Sequence, residues 1–234
     1  MRRLLVPSVP AVGERCVAAA RESHHLLHVI RARPGERVRL VDGRSAAAIG
    51  VLESVDADGQ ACFTIVERLV ASPPPVRVVL LGLPKPALLE EALTLGTEGG
   101  ATRFVLVRAR YSPPGAPRSD RLLRVVQSAV TQCGRADLPA VDGPWSLVEA
   151  LADASLPPVG ARWGALPGTP PGPVGGGSED TGRGVAVAIG PEGGWSPEEA
   201  AALTDAGFAP LGLGPFVLRT PSAVGAALAR LWNG

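Results

Sequence analysis

From Val76 onward, short apolar runs alternate with stretches of helical periodicity, and few architectures accept such a pattern. Val76 to Leu81 is apolar apart from Arg77, as suits a strand buried on both faces, and a helix follows in which Leu88, Leu89, Ala92 and Leu93 share a side. Phe104 to Val107 reads as the next strand, and Arg121 to Gln132 as a helix with Leu122, Val126, Ala129 and Val130 turned inward. Ser146 and Glu149 have the spacing of a capping box. Val185 to Ile189 is a strand of small residues, followed by Ser196-Pro-Glu-Glu199, which combines an N-cap, a proline at the first helical position and the glutamate of a second box. Pro221 to Trp232 is the last helix. The expectation is an α/β domain with a mainly parallel sheet.

The first 70 residues follow a different rule. Glu36 to Val41 alternates into the turn Asp42-Gly43, while Ala46 to Val55 and Ala61 to Leu69 flank Asp58-Gly59 as a hairpin. These short strands suggest a small barrel, preceded by a helical segment, Ser23 to Arg33, that stops at Pro34-Gly35. Ser72-Pro-Pro-Pro75 cannot continue a ladder and marks a boundary, so the expected domains are 1–72 and 76–234. Pro167 to Gly184 holds seven Gly and four Pro, which favours a mobile loop over a regular element. With 46% hydrophobic and 19% charged residues the chain is not a disordered tail, and no apolar run reaches the roughly 18 residues of a membrane span. Soluble, cytoplasmic residence is expected, with Cys16, Cys62 and Cys133 as reduced thiols.

The stretch richest in chemistry is Val185-Ala-Val-Ala-Ile-Gly-Pro-Glu-Gly-Gly-Trp-Ser196. A strand passes directly into Gly190, Gly193 and Gly194 and then into a capped helix, so a ligand can approach bare backbone beyond the carboxyl end of a strand. The loop lacks the Lys-Ser/Thr of a P-loop and does not match the dinucleotide fingerprint, which disfavours a nucleotide-dependent oxidoreductase. Leu211-Gly-Leu-Gly-Pro-Phe-Val-Leu-Arg-Thr220 places glycines after another short strand, and two such loops can form one pocket. With no phosphate-binding lysine, main-chain groups and apolar contacts would hold the ligand, which suits an adenosine and a thioether sulfur.

Taken together, His24-His-Leu-Leu-His-Val-Ile-Arg31, Pro34-Gly-Glu-Arg-Val-Arg-Leu-Val-Asp-Gly43, Gln132-Cys-Gly-Arg135 with Pro139, Ile189-Gly-Pro-Glu-Gly-Gly194 and Leu213-Gly-Pro-Phe-Val-Leu-Arg219 resemble the RsmE family. Its members are S-adenosylmethionine-dependent methyltransferases that act on N3 of a uridine in small-subunit (16S) ribosomal RNA. The resemblance implies a PUA-like β-barrel, a SPOUT α/β domain with a C-terminal trefoil knot, and a homodimer. It also implies a cofactor pocket of Ile189, Gly190, Glu192, Gly193, Gly194, Leu213, Gly214, Val217 and Leu218, with Arg219 facing the reacting base. The chain departs from the family at several places: Phe216 stands for Arg or Lys, Pro221-Ser222 for Glu-Thr, Arg110-Tyr111-Ser112 for Glu-Arg-Ser, and Thr97-Glu98-Gly99-Gly100 keeps only part of Glu-Leu-Gly. Two carboxylates are missing, so neither can serve as a base. These departures leave open a second reading, a non-catalytic RNA-binding protein that retains the fold.

The net charge of +1 conceals a division: residues 1–75 carry 10 basic against 8 acidic groups, residues 76–140 carry 9 against 5, and residues 141–234 carry 4 against 9. The basic excess precedes the glycine loops and suits a phosphate backbone. Arg31, Arg33, Arg37 and Arg39 are the candidate phosphate contacts of the first domain, with Lys85, Arg110 and Arg135 nearer the cleft. His24, His25 and His28 lack an evident further ligand, so no metal site is expected. Val224, Ala227, Leu228 and Leu231 share a face of the last helix, which could pack in the core or against a second copy.

Overall fold

The computed structural model describes residues 1–44, 46–70, 74–166, 168–169 and 184–232. Most of the Pro167 to Gly184 loop and the start of the Ser72 to Pro75 boundary lie outside the described residues. The chain forms two compact units, one of residues 1–74 with 127–138 and the other of residues 75–126 with 139–234.

The first unit is a five-stranded sheet in the order β1-β3-β4-β5-β2, with β1 Arg2–Leu5, β2 Arg15–Val17, β3 Arg37–Val41, β4 Ala47–Val55 and β5 Ala61–Leu69. β1 runs parallel to β3 and the other pairs are antiparallel. Register shifts at Ile49/Gly50 and Leu52/Ser54 let the long β4–β5 pair bend, as bulges do. The sheet wraps a core that includes Leu26, Leu40, Leu52, Phe63 and Ile65. The helix expected over 23–33 begins earlier, as α1 Ala20–His24, and continues as a π-helical turn over His25–Val29. Buried Ser23 fastens it: its hydroxyl donates to Ala18 O at 3.2 Å and accepts the Ala61 N–H at 2.9 Å. His24 and His28 lie one turn apart, their rings tilted by 42° with centroids 4.8 Å from each other.

The second unit carries a six-stranded sheet, all parallel, in the order β11-β9-β10-β6-β7-β8. Its strands are β6 Arg77–Gly82, β7 Arg103–Val107, β8 Ala140–Trp145, β9 Arg162–Gly164, β10 Val185–Ile189 and β11 Ala209–Pro210. The helices are α2 Pro86–Glu98, α3 Ser119–Cys133, α4 Leu147–Leu151, α5 Pro197–Asp205 and α6 Thr220–Trp232. Side chains alternate through the sheet: Val78, Leu80, Val105, Val107, Ala186 and Ala188 join Leu147, Ala150, Leu203 and Phe208 in one core cluster. On the other side Phe104 lies against Gly96 of α2, where an added Cβ would come within 2.6 Å of its ring, and Val224 of α6 closes the same spot. Val224, Ala227 and Leu228 are at most 1% exposed in a single subunit. These three residues are therefore core, while Leu231, the fourth on that face, is half-buried.

Candidate functional site: the glycine loops after β10 and β11

In the order of the parallel sheet, β10, β6 and β7 are neighbours, so the segments leaving their carboxyl ends emerge side by side. The segment after β10 folds back at once. The Gly194 N–H donates to Pro191 O at 2.8 Å, and Gly194 has φ +71°, a conformation that disfavours any side chain. A Cβ on Gly190 would stand 2.9 Å from Gly194 C and 3.0 Å from its Cα, so this turn closes only around bare glycine. One on Gly82, at the end of β6, would meet the Pro191 ring at 2.6 Å.

Two carboxylates tie this loop to its neighbours. Glu192 Oε1 accepts the N–H of Lys85, which caps α2, at 3.2 Å. Glu199 accepts the Ser196 N–H at 2.9 Å in the capping box of α5, and its other oxygen accepts the Arg110 N–H at 2.7 Å. The buried Thr220 hydroxyl, at the start of α6, donates to Gly190 O at 3.3 Å. Helix starts and loops are thereby fixed to one another by side chains bonded to backbone groups.

A cavity of about 420 Å³ opens between the loop after β10 and the loop after β11, within the range of small-molecule pockets. Ile189, Gly190, Glu192, Gly193, Gly194, Leu213, Gly214, Val217 and Leu218 all line it. Sequence reasoning missed Ala165, Leu166, Gly168 and Thr169, which enter from the segment after β9, as well as Trp195, Leu211 and Ala223. Nothing in the three-residue strand β9 advertises that contribution. Phe216 lines the rim but is 81% exposed, so its ring does not fill the cavity. The Trp195 indole N–H is buried with no acceptor among the described residues.

The cationic candidates part company. Arg219 is exposed immediately before α6 and does not line the cavity, although Leu218 and Thr220 on either side of it do. Lys85 and Arg110 are exposed at the loops just described. Arg31, with φ +58°, Arg33 and Arg37 are exposed in the first unit; Arg37 forms a 3.2 Å pair with Glu67 in which both side chains are more than half exposed, so water competes with it freely. Arg39 is half-buried, with its Nε covered and unpartnered among the described residues. Arg135 departs furthest from the expectation of an RNA contact. Its guanidinium is 13% exposed and doubly bonded to Asp137, with Nε at 3.1 Å from Oδ1, because the turn at Gly134 brings it inward.

Comparisons with known proteins bear on the whole chain. Residues 72–232 match the family model of an RNA methyltransferase domain, and residues 19–65 that of an RNA methyltransferase PUA domain. A ribosomal RNA small subunit methyltransferase E of Mycobacterium bovis is 36% identical over 244 residues, covering 95% of this chain and 88% of its own. The chain belongs to the ribosomal RNA small subunit methyltransferase E family. The Bacillus subtilis protein of the same name is 27% identical over 86% of this chain and 83% of its own. Among solved structures, the family member from Neisseria gonorrhoeae, bound to S-adenosyl methionine, superposes with a TM-score of 0.85 at 26% identity, covering 100% of this chain and 97% of that one. The all-parallel sheet and the PUA match agree with the α/β and PUA-like architecture expected of an RsmE-family chain.

Proposed function

We propose that this chain is an S-adenosylmethionine-dependent methyltransferase of small-subunit ribosomal RNA, acting on N3 of a uridine. The observation that carries the reading is the meeting of two bare glycine turns, at Gly190 and Gly214, around one cavity. That cavity fits the cofactor's chemistry: its walls are mostly main chain and apolar side chains, with Thr169, Glu192 and Thr220 as the polar exceptions, the turn at Gly190 closes only around bare glycine, and Trp195 keeps an unused donor. The family membership and the cofactor-bound relative support the same assignment. The trefoil knot and the homodimer belong to this proposal as well.

In this reading Ile189, Gly190, Gly193, Gly194, Leu213, Gly214, Val217 and Leu218 hold the cofactor, which when bound supplies an electrophilic methyl group on a sulfonium sulfur. Glu192 braces the loop through the Lys85 amide. N3 of uracil carries a proton between two carbonyls and is a poor nucleophile until that proton leaves. Arg219, with no ion pair among the described residues, is free to stabilise the imide anion on the ring oxygens as preorganised donors stabilise an oxyanion. Alignment of the two reactants contributes further, on the order of 7–11 kcal/mol in well-oriented systems.

Arg219→Ala should lower the methylation rate by about 100-fold or more, while calorimetry shows demethylated cofactor binding unchanged. Mass mapping of ribosomal RNA from a deletion strain, before and after re-expression, identifies the base and atom modified. A chain that binds RNA but releases no heat with the cofactor or its demethylated product would instead be the non-catalytic binder.

A further inference from the structure

We propose that Tyr111 is a stacking platform for a nucleobase of the RNA substrate, beside the methyl-donor cavity. The inference rests on the functional reading above. Tyr111 is the only tyrosine of the chain, and 52% of it is exposed, although a large ring gains most when covered. It is also held firmly. The preceding amide, of Arg110, is bonded to Glu199 at 2.7 Å; the turn around it closes with Ser112 N–H to Ala109 O at 3.0 Å and Ala109 N–H to Ser112 Oγ at 3.1 Å.

The underside of the residue rests on Gly193, a residue that lines the cavity. A methyl group on Gly193 would lie 2.7 Å from Tyr111 Cβ and 3.0 Å from Cγ. Glycine at 193 thus lets the tyrosine sit directly on the cofactor loop, while the uncovered half of the side chain faces solvent. Its hydroxyl has no hydrogen-bond partner among the described residues, so the ring is not there to anchor a buried polar contact.

The surroundings favour a polyanion carrying flat bases. Between residues 108 and 124 the chain has five arginines; Arg118 and Arg124 pair with Asp120 and Arg121 pairs with Glu90, so Arg108 and Arg110 are the two without an ion pair among the described residues. Arg110, next to the ring, is exposed, and Arg108 stiffens the following segment by donating to Gly115 O at 2.7 Å. An enzyme that modifies a ring atom must take the base out of its stack, and an aromatic face at the site returns part of the lost stacking. Against the family pattern, position 111 carries a π face in place of a cation, and position 110 a cation in place of a carboxylate.

Steady-state methylation of ribosomal RNA by wild type, Y111F, Y111W and Y111L tests this, with demethylated cofactor binding measured on each. Y111F and Y111W should keep the KM for RNA within about two-fold of wild type, and Y111L should raise it by about ten-fold or more at unchanged cofactor affinity. Irradiation of wild type with RNA containing 5-iodouridine should cross-link the peptide that holds Tyr111, which keeps the idea testable if Y111L fails to fold. A Y111L with the wild-type KM, a Y111F as impaired as Y111L, or a parallel loss of cofactor affinity overturns the platform and leaves the enzyme reading standing. A wild-type chain that methylates no ribosomal RNA overturns both.

Discussion

At the scale of single residues, Gly190 carries the sharpest consequence. Its missing side chain is what allows the turn to close, since a Cβ would press on Gly194 backbone at 2.9 and 3.0 Å, atoms that move only with the loop. Gly190→Ala should therefore destabilise the chain by about 1–3 kcal/mol, the usual range for overpacking, and weaken demethylated cofactor binding at least ten-fold on the same samples. Gly214 makes a contrast. Its φ of +125° disfavours a side chain although nothing would obstruct a Cβ there, so Gly214→Ala costs backbone strain without a collision. The glycine loops were legible because glycine after a buried strand states a backbone need. The inward turn of Arg135 was not, because its partner Asp137 is two residues away and any arginine near a motif looks equally available before the chain is folded.

At the scale of elements, the helix starts were the most legible parts. Ser146-x-x-Glu149 and Ser196-x-x-Glu199 both form complete capping boxes, since each needs only local geometry. Ser196→Ala removes the cap of α5 and should cost about 1 kcal/mol, a fall of about 2–4 °C in Tm for a chain of this size. Glu199→Ala should cost more, because the Arg110 amide loses its acceptor too. The Ser146 box gives a pH signature. The Ser146 hydroxyl, and after it the Ser146 amide, hold the Glu149 carboxyl below its ordinary value of 4.5. A folded-state value below the unfolded one means stability that is present above pH 4.5 and is lost as the pH falls from there through the lowered value. Urea unfolding of wild type and Ser146→Ala should then give stabilities that converge on acidification below pH 4.5. Strands were harder to read where they are short or interrupted. β8 contains Gly143-Pro144 and is tolerated because it lies at the sheet edge, while β9 has three residues and β1 four, too few to show a period.

At the scale of the whole molecule, long-range partners decided what the sequence left open. Residues 127–138 join the first unit because Leu138 N–H donates to Gly43 O at 2.8 Å and Arg3 reaches Gln132 O at 3.3 Å, pairings across some hundred residues that no local pattern announces. Charge is the property that acts on this scale. Of the seven cations proposed for RNA, Arg31, Arg33, Arg37, Lys85 and Arg110 are exposed, whereas Arg39 is half-buried and Arg135 is paired. Each phosphate contact releases counterions, giving a slope of log affinity against log salt of about −0.7 per contact on single strands and about −0.9 on duplex. Five contacts therefore predict a slope of about −3.5 to −4.5. Arg33→Ala should make the slope shallower by about 0.7–0.9 with little change in Tm. Arg135→Gln should do the reverse, leaving the slope alone while lowering Tm, because Asp137 loses its cation in a place where only 18% of its side chain meets water. Titration of labelled ribosomal RNA fragments at several salt concentrations measures both slopes. An Arg135→Gln slope shallower by a full contact would mean that the Asp137 pair opens for phosphate.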